Sequence, residues 1–266
     1  MKIAFIGGGN MGEAILSAVL DGGLSTPQSV SVSDISESRC QHLKQKYGVA
    51  VMSDNLKTIG KADVVVLAIK PQNLADVMAG LSGKLESAQL VLSIVVGVRI
   101  DTLRQGLDHH CIVRVMPNTP AQIGEGMSVW TATAEATEQQ KEWARSILQV
   151  MGKEIYVDGE EYLDMATAIS GSGPAYAFLF IEALVDAALH IGLPRNMAQE
   201  LVLQTLLGSG HFLQKSGREA ADLRRMVTSP GGTTAEALKV FEEGKFTELV
   251  KQAVIACYNK AKELGG

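Results

Sequence analysis

Gly7-Gly8-Gly9-Asn10-Met11-Gly12 is the first segment of the chain whose residue types and spacing suggest chemistry. It fits G-x-G-x-x-G through Gly7, Gly9 and Gly12, follows the apolar run Lys2–Ile6 and opens a helical pattern, Met11–Asp21. In that setting the first glycine makes a tight turn, the second lets the backbone approach a pyrophosphate, and the third lets helix and strand pack closely. The helix start then offers unpaired N–H groups to phosphate, so the segment points to a dinucleotide. A flexible turn is the competing reading. Asp34 lies 22 residues beyond Gly12. An acid there accepts hydrogen bonds from an adenine-ribose hydroxyl and repels a 2′-phosphate, which favours NADH. Ser33, Ser36, Ser38 and Arg39 offer hydroxyls and a guanidinium that suit the extra phosphate of NADPH. Asp34 could equally cap the helix expected from Ser36. The choice between the two cofactors stays open.

A second anion-binding pattern lies far along the chain, in Thr228-Ser229-Pro230-Gly231-Gly232-Thr233-Thr234. Gly231 and Gly232 leave the backbone bare, and the following helix presents orphan N–H groups, so a carboxylate can bind there without an arginine. Ser229 adds a hydroxyl donor, and a plain helix cap after a Pro-Gly turn is the alternative. Lys70, in Ala68-Ile69-Lys70-Pro71 at the end of a strand, points toward the crevice where ligands bind in parallel sheets, or is simply a solvated lysine. Met116 and Pro117 end another strand and could be core, whereas Asn118 and Thr119 bring polar groups suited to a nicotinamide. Ser170-Gly171-Ser172-Gly173-Pro174 is expected to shape a domain junction, because no His/Asp partner supports a nucleophile. None of the five histidines, His42, His109, His110, His190 and His211, has an evident catalytic partner, and His109-His110 is expected in a surface loop.

Two contrasting halves must position these residues. Up to Val157, β-branched runs at Lys2–Ile6, Ser29–Ser33, Asp63–Ile69, Gln89–Ile94, Cys111–Val115, Met127–Thr131 and Glu154–Val157 alternate with helical patterns such as Ser36–Lys46. That alternation predicts an α/β domain, a doubly wound and mostly parallel Rossmann sheet, over residues 1–159. Beyond it, residues 160–266 read as all-α, with helices over Glu161–Ile169, Ala175–Ile191, Asn196–Ser216, Ala220–Val227, Thr234–Glu242 and Phe246–Glu263. In Ala175–Ile191, Glu182, Asp186 and His190 make one polar stripe, while the other faces are apolar. A helical half of this size has limited capacity to surround such a helix, so a second subunit is expected to cover it and make the helical half a dimer interface, with a monomer that buries the helix internally as the alternative. The acids argue against a membrane span.

The bulk numbers narrow the classes further. A net charge of −5 disfavours nucleic acid as a partner. The run before Gly7 reaches the glycines too soon for a signal peptide, so none is expected there. Cys40, Cys111 and Cys257 are odd in number and irregularly spaced, which suits a reducing cytoplasm and neither a disulfide framework nor a metal site.

The glycine loop, Ala68–Pro71, Arg114–Pro120, Ala168–Ala175 and Thr228–Thr234 with Ala237-Leu238 occur in an order and at spacings that resemble pyrroline-5-carboxylate reductases over essentially the whole chain. The resemblance implies NADPH or NADH as hydride donor, a cyclic imine as substrate, L-proline as product, and a helical domain that interlocks two subunits, often in a ring of five dimers. It implies a cofactor lying along Gly7, Gly9, Asn10, Met11, Gly12, Ser33, Asp34, Asn55, Ala68, Lys70 and Pro71, with Met116, Asn118 and Thr119 toward the nicotinamide. Ser229, Gly232, Thr233 and Thr234 would hold the substrate, and the Thr234 hydroxyl would contact the ring nitrogen. Asp34 departs from relatives with a small polar residue there, which puts only the NADP preference in doubt. The protonated imine accepts hydride without an obligatory base, which fits the unpartnered histidines. β-Hydroxyacid dehydrogenases share the two-part layout but use a helical-region lysine, and Lys215, Lys239, Lys245 and Lys251 stand in no corresponding motif. A non-catalytic NADP-sensing module would need the glycine loop but none of Ser229–Thr234.

Overall fold

The computed structural model describes residues 1–265. Its eight strands are β1 Ile3–Ile6, β2 Val30–Ser33, β3 Ala50–Met52, β4 Val64–Leu67, β5 Leu90–Ser93, β6 Ile112–Met116, β7 Gly126–Ala132 and β8 Gly152–Tyr156. They form one sheet in the order β3-β2-β1-β4-β5-β6-β7-β8. The run from β3 to β6 is parallel, β7 is antiparallel to β6, and β8 runs parallel to β7. Reversal of strand order around β1 opens a crevice at the carboxyl ends of β1 and β4, the usual ligand position in such sheets.

The strands read as continuous apolar runs because both sheet faces are buried. Side chains alternate between faces: Phe5, Val64 and Val66 join one core with Ile15 and Ile147, while Ala4, Ile6, Val65 and Leu67 join the other with Leu81 and Leu103. The covering helices are α1 Asn10–Asp21, α2 Glu37–Tyr47, α3 Asn55–Ile59, α4 Leu74–Leu81, α5 Ile100–Leu107 and α6 Glu138–Gln149. Strand β3 was not among the expected strands. It has three residues at the sheet edge, Ala50 exposed and Val51 and Met52 half-buried, too few to set up a both-faced apolar run.

The described residues divide into two compact units, one of Met1–Ser172 with the tail from Cys257, the other Gly173–Ala256. The first unit thus keeps α7 Glu161–Ala166 and the π-helical turn Thr167–Gly171. A charged cluster explains their attachment. Arg114 on β6 has a buried side chain that reaches Glu160 at 2.7 Å and Asp164 at 3.3 Å, and Arg99 meets Asp164 at 3.5 Å. Glu160 also accepts from the Ile100 N–H at 3.0 Å. Removing one partner from such a cluster would strand a buried charge.

His109 corrects an expectation. It lies in the loop after α5 but is buried, not on the surface, and its Nε2–H donates to the Gln89 carbonyl at 2.8 Å. That carbonyl precedes β5 inside the protein and needs a donor. Burial holds the imidazole below its ordinary pKa, against the raising effect of this bond. His110 is exposed, as expected.

The second unit contains α8 Gly173–His190, α9 Arg195–Ser216, α10 Ala220–Met226, α11 Thr233–Glu243 and the first part of α12 Phe246–Gly265. Gly192, at φ +96°, turns the chain between α8 and α9, and Pro194 precedes α9 with its fixed φ. Phe246 stacks edge-on against Phe241 at 5.3 Å between ring centroids. Little of this unit is interior. Phe178 is 58% exposed and Leu179 66% in the single chain.

Candidate functional site: a dinucleotide cleft and a glycine turn

Beyond the carboxyl end of β1 the chain builds a cleft of about 670 Å³. Its walls include Gly7, Gly9, Asn10, Ser33, Asp34, Asn55, Ala68 and Lys70, which the sequence placed along a cofactor. Each motif glycine has its own reason. Gly7 sits at φ +98°, and a Cβ there would stand 2.5 Å from the Ala68 carbonyl oxygen. A Cβ on Gly12 would stand 2.5 Å from the Gly7 carbonyl oxygen, so α1 can approach β1 only without one. Around Gly9 nothing lies within 4 Å of that position, which leaves the backbone open to a ligand. Gly9 is also the N-cap of α1 and uses no side-chain cap, so the first N–H groups of the helix remain available. This is the donor set that a pyrophosphate fits.

Asp34 has a structural task that its position in sequence did not reveal. One carboxylate oxygen accepts from the Gly8 N–H at 2.8 Å, and the other from the Ser36 N–H at 2.8 Å. The acid braces the glycine loop, and Ser36 rather than Asp34 caps α2 by accepting from the Arg39 N–H at 3.3 Å. Each carboxylate oxygen keeps a lone pair for a ribose hydroxyl. Ser33 donates to the Asn55 side-chain oxygen at 2.6 Å, which fixes both across the mouths of β2 and α3. Lys70 is exposed and has no ion pair among the described residues.

The remaining sequence candidates are less uniform. Gly12 is buried behind the loop, Met11 is half-buried, and Pro71 starts the short 3-10 turn Pro71–Asn73 beside Lys70. Met116 ends β6 and Asn118 and Thr119 follow it; β4 and β5 separate β6 from β1, and none of the three residues lines this cleft. The Asn118 side-chain oxygen accepts from the Met127 N–H at 2.9 Å and so ties β6 to β7. Met116 packs on Gly171, where a Cβ would stand 2.4 Å from its methyl carbon. Gly171 closes the π-helical turn, marked by a Ser172 N–H to Thr167 carbonyl bond of 2.8 Å. Ser170 donates to the Ala166 carbonyl at 3.2 Å, with no catalytic partner among the described residues.

Sequence reasoning missed Ile35, 94% exposed at the cleft, and Ser53, Ile69, Gln72, Asn73 and Val77, which share its lining. An isoleucine standing directly after Asp34, just beyond β2, was the available signal. It also missed Glu13, which accepts hydrogen bonds from Lys46 and Tyr47 at 2.9 Å each and pairs with Arg39.

The second unit holds the other candidate. Gly231 takes φ +70° and Gly232 is the N-cap of α11, so the helix begins at Thr233, one residue earlier than the sequence suggested. Gly232 N–H closes the turn onto the Ser229 carbonyl at 3.0 Å, and a Cβ on Gly232 would collide with the Ser229 hydroxyl at 2.5 Å. Thr233 and Thr234 occupy the first two helical positions, whose N–H groups have no intrahelical partner. The Thr234 hydroxyl has no hydrogen bond within the described residues. Ser229 and Thr233 are exposed and Thr234 half-buried. The turn can receive a small carboxylate.

A doubly wound sheet with a glycine-lined cleft at its switch point defines a dinucleotide-binding protein of the Rossmann class, here with a helical region in the same chain. Comparison narrows the class. Residues 160–264 match the family model for pyrroline-5-carboxylate reductase dimerisation, and residues 2–97 that for NADP oxidoreductase, coenzyme F420-dependent. The chain is 38% identical over 265 residues to a pyrroline-5-carboxylate reductase of Synechocystis, covering 100% of this chain and 98% of the relative. It matches the structure of a pyrroline-5-carboxylate reductase from Coxiella burnetii at TM-score 0.91 and 39% identity, over 100% of this chain and 98% of that one. The Plasmodium falciparum pyrroline carboxylate reductase with NADP bound matches at TM-score 0.92 and 32% identity, with the same coverage. The chain belongs to the pyrroline-5-carboxylate reductase family. It is an NAD(P)H-dependent oxidoreductase acting on a carbon–nitrogen double bond, and a homo-oligomer through its dimerisation region.

Proposed function

We propose that the chain reduces L-1-pyrroline-5-carboxylate to L-proline, the last step of proline biosynthesis, with the labour divided between residues 1–159 and residues 160–266. The observation that carries this reading is the pair of helix starts without a side-chain cap, Gly9 at α1 for a pyrophosphate and Gly232 at α11 for a carboxylate. A nicotinamide cofactor, NADPH or NADH, supplies the hydride. Gly7, Gly9, Asn10, Met11 and Gly12 seat its pyrophosphate. Ser33, Asp34 and Asn55 serve its adenine ribose, and Ala68, Lys70 and Pro71 flank it. Met116, Asn118 and Thr119 serve the nicotinamide end. Ser229, Gly232 and Thr233 hold the substrate carboxylate.

Thr234 is the catalytic residue of this proposal. The ring nitrogen enters protonated, hydride adds to the imine carbon, and the π electron pair of the C=N bond ends on nitrogen as a secondary amine. The Thr234 hydroxyl orients that nitrogen, and positioning supplies much of the rate. No general base is required.

The exposed apolar face of α8 supports a homodimer through the helical half, and a ring of five dimers is the assembly that the resemblance favours. One helical stretch, Glu161–His190, is long and apolar enough to cross a membrane, and 11% of its apolar window is buried within the single chain. Burial against a second subunit accounts for it without a bilayer. The acidic balance favours a small-molecule substrate over nucleic acid, and the irregular free cysteines favour a cytoplasmic setting.

The test is oxidation of each reduced cofactor with pyrroline-5-carboxylate, with proline identified as product. Turnover is expected with both cofactors. Cofactor binding without turnover would reduce the proposal to a nucleotide-binding module.

A further inference from the structure

Arg39 lines this cleft together with Asp34 and Ser36, yet it is engaged elsewhere. Its Nε donates to the Gly8 carbonyl, and one terminal nitrogen donates to Glu13, a residue of the first turn of α1. Glu13 is also gripped by Lys46 at 2.9 Å, Tyr47 at 2.9 Å and His42 at 3.3 Å, all from α2. Burial raises its carboxyl pKa, but the bonds from Lys46, Tyr47, His42 and Arg39 outweigh that and hold it at about 2. The acid therefore stays ionised at any pH where the protein works.

Resting on the reading of this cleft as the nicotinamide dinucleotide site, we infer that Glu13 is a specificity-determining residue that withholds Arg39 from the 2′-phosphate of NADPH. Two features of the geometry carry this. The guanidinium lines the cleft and could meet a phosphate with a bidentate fork, but the Gly8 carbonyl and Glu13 occupy its Nε–H and one terminal N–H. In addition Asp34 puts a carboxylate in the lining at the ribose end, against a ligand that carries its extra charge there. Only 2′-phosphate binding should feel this, because NADH has a hydroxyl at that position. Glu13 acts through Arg39, so it is a positioning residue in the negative sense.

Calorimetric dissociation constants for NADPH and NADH test the inference without turnover. Glu13→Gln is expected to raise the preference for NADPH over NADH by about fivefold or more, mainly by tightening NADPH. In Arg39→Gln the same substitution is expected to give less than half that gain, because the guanidinium it would release is gone. A general loosening of the glycine loop would weaken both cofactors together and leave the ratio unchanged. Glu13→Ser serves as a second variant should the glutamine protein fold poorly. An unchanged or falling ratio would overturn the inference, as would an equal gain in the Arg39→Gln background. If the native chain binds neither cofactor, the cleft assignment fails with it; if it binds both and the ratio does not move, only the role of Glu13 fails.

Discussion

The glycine loop after β1 and the Ser229–Thr234 turn use the same device, a bare backbone leading into a helix start, but they are held very differently. The first is braced from several sides: Gly7 N–H donates to the Ser33 carbonyl at 2.8 Å, Asp34 holds Gly8, and Gly12 lies against Gly7. The second closes on itself through Ser229 and Gly232, and its flanks are largely solvent-exposed in the single chain. A braced loop fixes its ligand geometry within one subunit. The helical turn belongs to a region that the family uses for dimerisation, so its rigidity is expected to depend on the second subunit.

The strongest way to break this contrast is to spoil the braced loop. Gly7→Val should weaken NADPH and NADH alike by more than about a hundredfold, because the residue needs φ +98° and a side chain would meet the Ala68 carbonyl. Equilibrium binding measures it. Retained affinity would show that the loop tolerates distortion and that its bracing is irrelevant.

Phe178→Asp tests the dependence of the second turn on its partner. Fully burying one such side chain contributes about 1.5–3 kcal/mol, and a two-fold interface counts it twice. The dimer should dissociate about a hundred times more readily in sedimentation, and turnover should fall with it while cofactor binding persists. A monomer with full turnover would make the helical unit self-sufficient.

Thr234→Ala should lower kcat/KM by more than about tenfold, a loss of about 1.4 kcal/mol or more from the transition state. Cofactor affinity should not change. Native kinetics in this variant would remove Thr234 from the mechanism and leave the turn as a carboxylate holder.

What the sequence disclosed follows the same contrast. The glycine loop was legible because its tasks are local: a strand, a turn and a helix start within a dozen residues. Strands β4 and β5 were legible because burial on both faces leaves an unbroken apolar run. Glu13 was not, since an acid in the first turn of a helix is ordinary, and only folding brings α2 beside it. The bracing by Asp34 was hidden for a related reason. The sequence gives a carboxylate after β2, and the fold decides that the Gly8 N–H reaches it. β3 was too short, and the turn at Thr167–Gly171 looks like any helix until the longer hydrogen bond forms.

His109 carries the smallest expected effect and extends the contrast to stability, since it belongs to the braced unit. Its folded-state pKa lies below the ordinary value because burial disfavours the imidazolium. An unfolded histidine takes a proton near pH 6.5, whereas the folded one refuses it until the pH is lower still. Below about pH 6.5 the unfolded chain therefore binds more protons, and stability falls with pH. The loss levels off once the folded imidazole is also protonated. His109→Gln keeps a donor for the Gln89 carbonyl but cannot titrate, so its melting temperature should fall less between about pH 7 and pH 5 than that of the native chain. Glu13 is outside this window, because its loss begins only as pH drops through the carboxylate range toward its folded value of about 2. Parallel melting curves for the two proteins would mean that the Gln89 bond, and not the protonation state of the ring, is what His109 contributes.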